Sequence, residues 1–192
     1  VGGRDRGVVT SCSYEARAFG VRSGMPSRKA LQLCPQAIVL NHSRGQYSKY
    51  SRWVTQIIEA KAPLFEKASV DEFYIDLTGM QKFFDPLQWT VDLRRQIMEE
   101  TKLPISFGIA SNKMMAKIAT DEAKPNGYLQ VPFGKEKEFL APMPVSKIPG
   151  VGEHTYEILK AMGIKTIKDI SEKTPEELDE RKAMARALLS AG

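Results

Sequence analysis

An α/β architecture follows from three features of the 192-residue chain. From about residue 60 to 132, short runs rich in β-branched and aromatic residues alternate with longer runs of helical periodicity. The longer runs are amphipathic, with apolar residues at i, i+3 and i+4 spacing, so they form helices that cover one face of a sheet. After Phe139 the texture changes to small helices only, and an "APMP" linker at 141–144 marks a domain boundary.

The elements follow in order. "GVVTSCSY" (7–14) predicts a strand, and "MPSRKALQLCP" (25–35) a short helix that starts at Pro26 and stops at Pro35. "AIVLNH" (37–42) predicts another short strand. Tyr47, Tyr50, Val54, Ile57 and Ile58 recur at helical spacing until Pro63 ends the run. Strands at about 64–69 and 72–77 then bracket the acidic pair Asp71–Glu72. A second amphipathic helix spans 86–101, with Trp89, Leu93 and Ile97 on one face. "PISFGIAS" (104–111) is a buried strand. Ser111 is the expected N-cap of a helix to about Ala123, whose inner face carries Met115, Ile118 and Ala119. "GYLQVP" (127–132) is the last strand.

Composition restricts the function. With 42% hydrophobic and 27% charged residues the chain has an ordinary globular profile, and no apolar run approaches the roughly 20 residues of a membrane span. Two cysteines, Cys12 and Cys34, make no disulfide framework, so a reducing, cytoplasmic setting is expected. The chain opens at "VGGRDRGVVT", with neither an initiator Met nor a leader segment, and is expected to be the interior of a longer protein. The net charge of +5 is unevenly placed. Residues 1–52 hold nine Lys or Arg against Asp5 and Glu15, leaving 19 basic and 21 acidic side chains for the remainder. A basic block paired with an acidic site suits a protein that handles polyanions.

Three clusters carry chemistry. In "SVDEFYID" (69–76), Asp71 and Glu72 stand where a strand would carry neither. Strand neighbours point to opposite faces, so the two acids share a ligand only where the strand bends or ends. Mg²⁺ takes one or two carboxylates and leaves its other positions to phosphates and water. In "SCSYEARAFGVRSGMP" (11–26), Ser11, Tyr14, Arg17 and Arg22 offer hydroxyl and guanidinium donors for phosphate, and Lys124 in "DEAKPNG" (121–127) is their companion. In "IPGVGEHTYEILKAMGI" (148–164), Gly150 and Gly152 expose backbone N–H groups at a helix start, and Gly163 ends that helix. Two helices around such a turn form a helix-hairpin-helix, which grips nucleic-acid backbone without reading sequence.

"SYEARAFGVRSGMP", "SVDEFYIDLT", "SFGIASNKMMAKIATDEAKPNG" and "KIPGVGEHTYEILKAMGI" together resemble the Y-family, lesion-bypass DNA polymerases, closest to the DNA polymerase IV branch. The motifs occur in that family's order and cover nearly the whole chain. The resemblance implies fingers at 1–45, a palm of ferredoxin-like topology at 46–138 and a helical thumb at 139–192. It implies that Asp71 and Glu72 are catalytic carboxylates binding two Mg²⁺ ions, with Mn²⁺ as a substitute. It implies that Val8, Ser11, Tyr14, Arg17 and Lys124 bind the incoming deoxynucleoside triphosphate, with Val8 and Ser11 near the nascent base pair. Gly150 and Gly152 would lie against primer-template DNA. A sliding clamp, engaged through regions outside this chain, and a nucleoid location in a bacterial cell are further implications.

The chain departs from the family pattern at both ends. The family's first palm strand, with a third metal-binding Asp and a ribonucleotide-excluding aromatic, precedes position 1, and the little-finger domain lies beyond residue 192. The isolated chain is therefore expected to be an inactive fragment. A non-enzymatic fragment that binds DNA backbone remains an alternative. A nucleotide cyclase sharing the palm acids is disfavoured, because it has no use for the 148–164 hairpin.

Overall fold

The computed structural model describes residues 7–40 and 45–179. The chain divides into two compact units, Val1–Ser51 and Arg52–Gly192.

The first unit is built from loops and two short helices. The segment expected as a strand at 7–14 makes only a single bridge, Val8 to Pro26, supported by hydrogen bonds between Val9 and the Gly24–Met25 backbone. It then turns into helix α1 (Tyr14–Ala18). Serine chemistry explains the switch. The Ser13 hydroxyl accepts from the Ala16 N–H at 3.2 Å and caps a helix, which competes with any sheet ladder. Helix α2 (Ser27–Leu33) lies inside the expected 25–35, entered from Pro26. Val21, Ala30 and Cys34 form the small core, with Val9, Cys12, Ala16, Met25 and Ala37 around it. The expected strand at 37–42 is not formed over Ala37–Leu40, where Ile38 is 86% exposed and Leu40 84%. An apolar run without a strand to pair with has no ladder to join. Its last two residues lie outside the described residues.

The second unit begins within helix α3 (Gln46–Glu59) and continues as β1 (Phe65–Lys67), β2 (Phe73–Ile75), α4 (Pro86–Thr101), β3 (Phe107–Ile109), α5 (Lys113–Ala123) and β4 (Tyr128–Gln130). The order is the one expected from the sequence. The strands form two separate pairs: β1 and β2 are an antiparallel hairpin, and β3 and β4 run parallel, with α5 as their crossover. Val54, Ile57 and Ile58 of α3 meet Leu93 and Ile97 of α4, and this core packs on Phe65, Phe73 and Ile75 of the hairpin. The Arg94 guanidinium donates to the Ile105 carbonyl at 2.7 Å and to the Asn126 carbonyl at 2.8 Å, tying α4 to the entry of both strands of the parallel pair.

Helix α5 buries the expected face, Met115, Ile118 and Ala119. Its N-cap is Asn112 rather than Ser111, with the amide oxygen accepting from the Met115 N–H at 3.0 Å. Gly108 makes the close approach of β3 to this helix. A Cβ there would lie 2.4 Å from the Ala116 carbonyl oxygen and 2.7 Å from the Ala119 methyl.

Beyond β4, α6 (Glu136–Leu140) places Phe139 and Leu140 against the core of α5 and β4. A separate helical core follows, in which Val145, Ile158, Met162 and Ile164 are buried between α7 (Glu153–Ala161) and α8 (Ile167–Ser171).

Candidate functional site

The two acids sit in the turn between β1 and β2, outside the strands. The Ala68 and Ser69 N–H groups donate to the Glu72 carbonyl at 3.0 and 3.2 Å and close the loop. The Ser69 hydroxyl organises its interior. It accepts from the N–H groups of Asp71 and Glu72, at 3.3 and 3.1 Å, and donates to Asp71 Oδ1 at 2.8 Å. A serine two residues before an Asp is a turn former of this kind. Because Asp71 and Glu72 lie in a turn, strand alternation no longer sends their carboxylates to opposite faces. Asp76 is separate from them. The Thr78 side chain first, and then the Thr78 N–H donating at 2.9 Å, hold its carboxylate below the usual carboxylate range.

Helix α5 faces the hairpin with lysines. Lys117 Nζ is ion-paired with Glu72 Oε1, and Lys113, one turn earlier, with Glu66 of β1. The Lys113 ammonium also stands 5.6 Å from the Tyr74 ring centroid. The hydrogen bond to Glu72 raises the Lys117 pKa above the ordinary lysine value. Partial burial works against that, and the charges of Glu72 and Asp121 assist it. Lys124, the C-cap residue of α5, is ion-paired with Asp121 at 2.8 Å. At 100° per residue, positions 113, 117, 121 and 124 fall on one face of the helix. Lys124 is about 10 Å along the axis from Lys117.

In the first unit, Val8 forms the bridge to Pro26, Ser11 lies in the loop after it, and Tyr14 and Arg17 belong to helix α1. Ser11, Tyr14 and Arg17 are exposed, and the Arg17 guanidinium lies 5.6 Å from the Tyr14 ring centroid. Arg22 donates to the carbonyls of Arg17 and Val21, both at 2.8 Å, so it fixes the end of α1.

The glycine turn precedes α7. Gly150 has φ +93°, a conformation open to glycine and strained for other residues. Gly152 has φ −81° and ψ 176° and is the N-cap of α7, with no side chain over the helix end. The first turn of α7 therefore presents backbone N–H groups without a side-chain cap. What precedes the glycine turn is a single 3-10 turn, Val145–Lys147, shorter than the full helix expected of a hairpin. Pro149 directly after Ile148 explains the shortness, since the residue before a proline leaves the helical region.

The residues suit a hard divalent cation in part. Two carboxylates from one turn are the number that Mg²⁺ takes from a protein when phosphates complete its shell, and one Glu72 oxygen already holds a cationic group. Among the described residues no group of three or more His, Cys, Asp or Glu forms a metal cluster. Ser69 and Lys117 are absent from the sequence-based site. Ser69 had a local signal in its spacing to Asp71, whereas Lys117, 45 residues from Glu72, had none.

Residues 1–121 match the impB/mucB/samB family, and residues 134–164 match the helix-hairpin-helix motif of the same family. The chain is 43% identical over 182 residues to a DNA polymerase IV of Opitutus terrae, covering 93% of this chain and 46% of that protein. It is 38% identical to DNA polymerase IV 2 of Methanosarcina mazei, covering 94% of this chain and 49% of that one. Among solved structures it resembles a DinB-family error-prone DNA polymerase from Sulfolobus solfataricus, with TM-score 0.81 and 32% identity, over 97% of this chain and 58% of that one. An insertion ternary complex of Dbh DNA polymerase matches with TM-score 0.79 and 32% identity, over 92% and 53%. The chain spans about half the length of the curated relatives it matches.

Proposed function

The chain belongs to the impB/mucB/samB family of Y-family DNA polymerases, and on that premise we propose that it carries the fingers (1–45), palm (46–138) and thumb (139–192) of a lesion-bypass, DNA-directed DNA polymerase. In the reaction the primer 3′-oxygen bonds to the α-phosphorus of a deoxynucleoside triphosphate. The bond to pyrophosphate breaks, and the hydroxyl proton passes to solvent water.

The observation that carries this reading is the acidic turn beneath the lysine face of α5, with Glu72 paired to Lys117. Asp71 and Glu72 would hold Mg²⁺, or Mn²⁺ in its place, and two such ions would stabilise charge on the attacking and leaving oxygens. The chain's own residues prepare that site. Ser69 fixes the Asp71 carboxylate through the bonds it makes in the turn. By the family's pattern, Lys124 of the palm and Arg17, Tyr14 and Ser11 of the fingers would each have the role of binding triphosphate, and Val8 and Ser11 that of bordering the nascent base pair. Gly150 and Gly152 let DNA phosphate approach the N-terminus of α7.

The test is nucleotide addition to a primer-template by the full-length protein carrying Glu72→Ala. Turnover is expected to fall by about a hundredfold or more, the scale on which loss of one charge-stabilising group acts, while DNA affinity stays near the parent's. Near-parental turnover would remove Glu72 from the reaction.

A further inference from the structure

We propose that Lys117 is the resting counter-cation of the metal site: its ammonium holds Glu72 while no metal is bound, and a divalent cation takes that carboxylate by displacing it. The proposal rests on the metal reading of Asp71 and Glu72 given above. Two lysines of α5, one turn apart, reach the β1–β2 hairpin, and they are in different positions. Lys113 pairs with Glu66 in solvent, its side chain 62% exposed. Lys117 is 29% exposed and pairs with a carboxylate whose chain neighbour is another acid. Adjacent carboxylates repel each other when neither is neutralised, and partial burial strengthens that repulsion. An ammonium at Glu72 relieves it. A lysine is suited to the exchange, because it is a compact point charge on a flexible stem and withdraws without rearranging the backbone. Ser69, which donates to Asp71, leaves the Glu72 side chain to Lys117. Lys117 is thus a positioning residue: it acts on metal loading through Glu72.

The experiment measures Mn²⁺ binding by electron paramagnetic resonance on the full-length protein without DNA or nucleotide. Melting curves confirm the fold of each variant. Lys117→Met is expected to bind Mn²⁺ about three- to fivefold more tightly than the parent, the range that a partly exposed ion pair supplies. Lys117→Arg should match the parent, because it keeps a cation in place. Lys113→Met should also match it, since Lys113 does not touch Glu72. The gain should vanish in Lys117→Met/Glu72→Gln. Equal or weaker binding by Lys117→Met, with binding still abolished by Glu72→Gln, overturns the role of Lys117 and leaves the metal site standing. An equal gain in Lys113→Met also overturns it, as an effect of net charge alone. Binding that ignores Glu72→Gln in every variant overturns the metal reading, and this inference with it.

Discussion

At the scale of single residues, the two glycines of the 148–164 turn separate fold from binding. Gly150 needs its left-handed backbone, and another residue there costs about 1–3 kcal/mol. A Cβ on Gly152 meets nothing within 4 Å, and its φ of −81° is open to any residue. Gly152→Val should therefore keep the parental melting temperature and weaken primer-template binding by crowding the start of α7. A salt titration checks this, because lost phosphate contacts lower both affinity and salt slope. Equal affinities and slopes would make the turn a packing element. A second residue-scale case is Asp169. Its carboxylate accepts from the N–H groups of Thr166 and Lys165, at 2.8 and 3.0 Å, and these bonds hold its pKa below the usual range. A lowered folded value means stability that is fully present above the unfolded value of about 3.9 and lost as pH falls through the folded one. The melting difference between the parent and Asp169→Asn should be largest near neutral pH and shrink below pH 4.

At the scale of elements, the β3–α5 contact is set by one missing side chain. Gly108→Ala should destabilise strongly, by about 1–3 kcal/mol, the usual cost of overpacking. Denaturant unfolding measures it. The obstacles are the Ala116 carbonyl and the Thr120 amide, backbone atoms that do not rotate away. The helices were the most legible elements. The 86–101 helix stands where Pro86 and its apolar period place it, capped by the Asp85 carboxylate accepting from the Leu87 N–H at 3.0 Å. Strand extents were less legible. Residues 64–69 and 72–77 contract to three paired residues each, because Ser69 and the two acids make a turn between them. Residues 7–14 read as β-prone through Val8 and Val9, but a strand needs a partner, and here the Ser13 cap decides.

At the scale of the whole chain, the four motifs carry the family signature without any contact between distant residues. Motif residues are local in sequence, and their order survives without a structure. The part of the site contributed by distant residues is not legible: Lys117 meets Glu72 only because the fold brings the lysines of α5 to the hairpin. The central claim is that the turn holding Asp71 and Glu72 is where cations meet the triphosphate. The direct measurement is a crystal structure of the full-length protein with primer-template, a non-hydrolysable deoxynucleoside triphosphate analogue and Mn²⁺, with manganese located by anomalous scattering. Manganese is predicted in direct coordination by carboxylate oxygens of both Asp71 and Glu72, with Lys124 on the triphosphate. Manganese coordinated elsewhere, with Glu72 still paired to Lys117, would contradict the account.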